Sequence, residues 1–185
     1  MSAFEQDVKE YASHDAKFVT PTRHMLANGK HREAICEIAG AYRVARNFRR
    51  QFDEGVGIPR YEPVVQKLAN YPLNSANPID AVLGLTRDLQ QIYHREVLSA
   101  SSKFLWFAWG REIIIFDSQA LATLRKRFPN LQPKAEGYPA YCDAWKALFS
   151  ECSDEIAKEC AKQQVSNERW FQERVFDWYL WRSGK

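Results

Sequence analysis

Only one short stretch of this 185-residue chain, Ile113-Ile114-Ile115-Phe116, has the β-branched and aromatic character of a strand. Elsewhere apolar residues recur three and four apart, the spacing of one helix face. A solitary run of this length cannot build a sheet, because a strand needs neighbours for its backbone groups. The chain is therefore expected to be all-α, a single compact helical domain over residues 1–185, with the isoleucine run as a buried extended connection. Six Trp, eight Tyr and eleven Phe supply the apolar area for its core without disulfides or metal.

The spacing predicts a short helix over Ser2–His14, with Phe4, Val8, Tyr11 and Ala12 inward. An irregular stretch is expected from Lys17 to Gly29, then a long helix from Lys30 to about Glu54, ending at Gly55-Val56-Gly57. Pro59, Pro63, Pro72 and Pro78 mark a Pro-rich loop region at about 55–78, interrupted by one short helix near Pro63. Asn77-Pro78 reads as a helix start, with periodicity to about His94. Ser101-Ser102 precede an apolar helix, Lys103–Trp109. Asp117 and Ser118 suit the N-cap of a helix over Gln119–Phe128. Helices are then expected at Tyr138 to about Ser150, at Ser153–Gln164, and at Asn167–Arg182, whose aromatic residues on several faces call for deep burial.

No apolar run approaches the roughly 20 residues of a membrane span. The first residues lack the basic-then-apolar order of a signal peptide, so a cytoplasmic address is expected. Cys36, Cys142, Cys152 and Cys160 form no C-x-x-C pair and read as buried thiols; His14, His24, His31 and His94 form no ligand pair. No metal and no small-molecule cofactor are expected. The net charge is only +3, but the window Arg23–Arg50 holds seven Lys/Arg against Glu33 and Glu37, a local +5. On the expected long helix, Arg43, Arg46 and Arg50 form a stripe suited to phosphate contacts, which add sequence-independent affinity.

The segment Ser101-Ser102-Lys103-Phe104-Leu105-Trp106-Phe107-Ala108-Trp109-Gly110, followed after six residues by Asp117-Ser118-Gln119-Ala120, carries the most chemical information. It resembles the core of the helix-hairpin-helix DNA glycosylase superfamily, especially bacterial proteins of the 8-oxoguanine DNA glycosylase fold, over about a quarter of the chain. The hairpin positions read Val97-Leu98-Ser99-Ala100-Ser101-Ser102-Lys103, with serines where the family has glycines. The resemblance implies a protein that binds DNA and excises a modified base, with Lys103 opening a helix as nucleophile and Asp117 as the catalytic carboxylate. It implies DNA contacts at Ser101 and Ser102.

The chemistry asks for these residue types on its own terms. Breaking an N-glycosidic bond develops positive charge on the sugar, which a carboxylate stabilises, and a lysine amine can attack the anomeric carbon. The base must first leave the duplex and stack in an apolar pocket, for which Trp106, Phe107 and Trp109 are candidates. Two alternatives stay open. Arg87 and His94, seven apart on one expected helix, resemble the Arg/His pair of HEPN ribonucleases. A non-catalytic DNA- or protein-binding module on the same scaffold is the other.

Overall fold

A computed structural model of the chain describes residues 2–14, 16–48, 60–71, 77–109 and 112–185. These contain nine α-helices, two 3-10 turns and no strand. In chain order the helices are α1 (Glu5–Ser13), α2 (Ala16–Ala27), α3 (His31–Ala41), α4 (Glu62–Ala69), α5 (Pro78–Tyr93), α6 (Leu98–Trp109), α7 (Ser118–Arg125), α8 (Tyr138–Lys162) and α9 (Arg169–Ser183). The 3-10 turns are Ala45–Asn47 and Ala135–Gly137. The all-α expectation holds, and Ile113–Phe116 is a buried segment outside any helix or sheet. No helix among the described residues is long and apolar enough to cross a membrane.

The chain groups into two compact units, Met1–Thr20 with Phe116–Lys185, and Pro21–Ile115. In the first, α9 packs on α1, α7 and α8. It buries Phe171, Val175, Phe176 and Leu180, while Trp170, Trp178, Tyr179 and Trp181 stay only partly covered. The deep burial expected for this helix is thus confined to one face. Arg182 grips the fully buried Asp7 with two hydrogen bonds of 2.8 and 2.9 Å, tying the end of α9 to α1. Two bonds from a planar fork hold orientation as well as charge.

In the second unit α3 packs on α4 and α6, and α5 on α4 and α6. Ile35, Ile38, Leu85, Leu89 and Phe104 fill its core, and the Phe48 ring meets Tyr61, Tyr93 and Phe104. Arg60 donates to the Ala45 and Phe48 carbonyls, and Tyr93 Oη donates to the Arg60 carbonyl at 3.0 Å, closing the loop ends around these rings.

Three helix expectations are corrected. Residues 17–27 are helical, not irregular: Val19, Thr22 and Leu26 fall on one buried stripe, while Pro21 sits on the exposed side. The long helix from Lys30 ends at Ala41, because Arg43 turns left-handed (φ 53°) and Val44 N–H bonds back to the Ala39 carbonyl at 3.0 Å. This 6→1 closure usually places glycine where Arg43 stands. Conversely, the two helices expected over 138–164 are one 25-residue helix, with the Ser153 hydroxyl directed back to the Ser150 carbonyl at 3.4 Å instead of capping a new start. Gly55-Val56-Gly57 and much of the Pro-rich region lie outside the described residues, but the short helix near Pro63 is α4.

Candidate functional site

α6 begins at Leu98, five residues before Lys103, because the Val97 carbonyl accepts from both Ala100 and Ser101 N–H at 2.9 Å. Ser101 and Ser102 are therefore inside the helix and fully buried, not at its entrance. The DNA contacts that the resemblance implies at Ser101 and Ser102 thus fall on side chains with no exposed surface in this conformation. Lys103 is on the next turn and is only 4 % exposed; its Nζ donates to the half-buried Ser99 Oγ at 2.7 Å. Burying an amine is expensive unless polar atoms receive it. Ser99, one turn back on the same face, is such an atom.

The three aromatic residues expected to wall the pocket, Trp106, Phe107 and Trp109, separate by role. Trp106 is buried, with the Arg23 guanidinium stacked 4.3 Å from its ring centroid and Arg23 Nη2 donating to the Trp106 carbonyl at 3.4 Å. It is a platform for an arginine and does not line the neighbouring cleft. Phe107 and Trp109 do line it, in a space of about 320 Å³ completed by Arg23, Leu26, His31 and Leu68. Phe107 is locked from behind by Tyr42, edge-on at 5.5 Å. Arg23 and His31 were not legible as site residues, because 76 or more positions separate them from Phe107 in the chain and only the folding of α2 and α3 brings them there.

Asp117 belongs to the other unit, where it caps α7: its Oδ1 accepts from Gln119 N–H at 2.9 Å, in extended backbone (φ −141°, ψ 140°). The N-cap expectation is met. Arg43 and Arg46 of the expected stripe do not lie on an α-helix. Arg43 is exposed at the left-handed turn after α3, Arg46 is exposed in a 3-10 turn, and Arg50 lies outside the described residues. Arg87 is exposed on α5, and His94, in a left-handed conformation (φ 52°), is the C-cap that ends that helix.

One titratable centre was missed. Asp177 on α9 accepts from Trp145 Nε1 at 2.7 Å and Arg174 Nη1 at 2.5 Å. Burial pushes its carboxyl up to about 6, against the opposing pull of Arg174 and Trp145. Burial likewise raises the Tyr141 hydroxyl, with the Asp177 charge the next cause. The sequence hid this cluster because Asp177 sits among aromatics that read as a core helix. Of the cysteines, Cys142 and Cys160 are the buried thiols expected, pushed up to about 12 and about 11 by burial, whereas Cys36 is exposed and Cys152 partly so. Among the described residues no group of three or more His, Cys, Asp or Glu could hold a metal ion. Compared with family models, curated proteins and solved structures, the chain finds no match in any of the three.

Proposed function

We propose that this chain is a DNA-binding protein of the glycosylase type, which excises a modified base with Lys103 as its amine nucleophile. The observation that carries the reading is the burial of Lys103, with its Nζ on Ser99 Oγ at 2.7 Å. A solvated lysine at a helix start needs no explanation, but an amine inside a helix core is costly and suits a group kept for chemistry. The aromatic cleft at the end of the same helix supports the reading, since an extruded base needs flat apolar walls.

In this reaction the Lys103 amine bonds to the anomeric carbon. The carbon–nitrogen bond to the base breaks, its electron pair leaves with the base, and the base takes up a proton. The bond from the anomeric carbon to the ring oxygen then breaks, and of the two amine protons one is matched by that taken up by the base and the other goes to the ring oxygen, leaving an imine. The resemblance implies a carboxylate role for Asp117, which belongs to the other compact unit and is tested on its own below.

Borohydride reduces such an imine to a stable amine, so the parent chain should be trapped on at least one duplex from a panel of damaged and modified bases. Lys103→Met removes the nucleophile while keeping an apolar side chain of similar length, and should abolish trapping with the helical spectrum unchanged. A panel without a trapped or excised base removes the catalytic reading. The non-catalytic DNA- or protein-binding alternative then stands, and the enclosure of Ser101 and Ser102 within α6 is the observation that favours it.

A further inference from the structure

The cleft beside the last turn of α6 has a composition that specifies its ligand. Its lining combines two nitrogen-rich side chains, Arg23 and His31, with Phe107, Trp109, Leu26 and Leu68, and among the described residues includes no carboxylate. Its volume of about 320 Å³ lies at the small end of the roughly 300–1,000 Å³ found for small-molecule sites. A guanidinium beside an aromatic wall complements a flat ring that carries a negative group.

The geometry of Arg23 points the same way. Stacking on Trp106 engages the face of the guanidinium, and a planar guanidinium directs its N–H groups outward in its own plane, where they match phosphate oxygens. The His31 ring is oriented by its Nδ1, 3.2 Å from the Gly29 carbonyl. An independent sign comes from Trp109. Its Nε1 is buried and has no hydrogen-bond partner among the described residues, a cost that an acceptor supplied by a ligand would remove.

We infer that this cleft binds a nucleotide as a unit, with the base ring against Phe107 and Trp109 and the phosphate on Arg23 and His31. The inference deepens the proposed function by naming what the cleft holds, a base together with its own phosphate. It does not depend on Lys103 reacting with anything. A free nucleotide and a nucleotide within a single strand offer the same chemistry, and the experiment separates them.

The full chain is titrated with the four deoxynucleoside 5′-monophosphates, the matching nucleosides, inorganic phosphate and a short single-stranded oligonucleotide, followed by tryptophan fluorescence and calorimetry. At least one monophosphate should bind about tenfold tighter than its nucleoside or inorganic phosphate, because ring stacking and charged hydrogen bonds act together only there. Ala27 is exposed at the end of α2 on the cleft wall. Ala27→Trp should fill the space and weaken binding at least about tenfold without moving the thermal melt. His31→Gln should weaken it several-fold. Tighter binding of the oligonucleotide assigns the cleft to a strand, and tighter binding of the monophosphate assigns it to free nucleotide.

The inference is overturned by no mononucleotide binding at about 1 mM, by equal binding of nucleoside and monophosphate, or by Ala27→Trp leaving the affinity unchanged. Monophosphate binding without borohydride trapping on any duplex would remove the catalytic reading and keep this one. Trapping without monophosphate binding would do the reverse.

Discussion

Asp117 is a residue at which stability and chemistry can be pulled apart. Asn caps a helix about as well as Asp, so Asp117→Asn should change unfolding free energy by less than about 0.5 kcal/mol, whereas Asp117→Ala should cost about 1 kcal/mol. If its carboxylate stabilises a cationic sugar, Asp117→Asn should still slow excision about a hundredfold; single-turnover excision by the folded variant at the parent rate would reduce Asp117 to a cap. Asp177 gives a pH test. Its folded carboxyl is raised from 3.8 to about 6. The stabilisation linked to its bound proton is complete below about pH 4 and is lost as pH rises through 6. The stability advantage of the parent over Asp177→Asn should therefore shrink by about 3 kcal/mol between pH 4 and 7 in denaturant unfolding. An advantage that grows with pH would mean that the Arg174 ion pair outweighs burial.

Among the elements, α3 carries the sharpest disagreement between local pattern and structure. Apolar periodicity runs on past Ala41, yet the helix stops because the chain folds back through Arg43 in the left-handed region. That conformation costs a residue with a Cβ about 1 kcal/mol relative to glycine. Arg43→Gly should thus raise stability by about that amount. The same variant probes the basic turn: DNA affinity that falls, with a shallower salt slope, marks Arg43 as a phosphate contact, and an unchanged slope marks it as solvated. In α8 the opposite occurred. A serine that signals a helix start stayed within a continuous helix, because a hydroxyl that bonds back to its own turn leaves the backbone ladder intact.

At the scale of the whole chain, α9 carries much of the first unit. Phe171, Val175, Phe176 and Leu180 are each at most 2 % exposed, and burying side chains of this size is worth about 1.5–3 kcal/mol apiece. Their sum is comparable with the roughly 5–15 kcal/mol by which native proteins are stable. Ending the chain after Glu168 should therefore abolish the cooperative unfolding of that unit and its near-ultraviolet tryptophan signal. A truncated chain with the parent melt would show that α1, α7 and α8 form a sufficient core without it.

The all-helical architecture was legible from the sequence because it rests on local periodicity: the Asn77 and Asp117 caps, the apolar faces of α1, α5 and α7, and the short helix at Pro63 are each written within a few consecutive residues. Lys103 was legible as chemistry, but its burial was not. Whether an amine opens a helix in water or sits inside one depends on where α6 starts, and Val97 decided that by accepting the first helical bonds. The cleft was half legible. Phe107 and Trp109 lie on one helix and were read together, whereas Arg23 and His31 reach it only because a stretch expected to be irregular folds as α2 and, with α3, lies beside the end of α6. Local sequence determines which segments become helices and which face each buries. Tertiary packing alone decided which helices merge or stop, which lysine loses its water and which distant nitrogen atoms face an aromatic wall, because burial and long-range charge are properties of neighbours that a linear pattern does not specify.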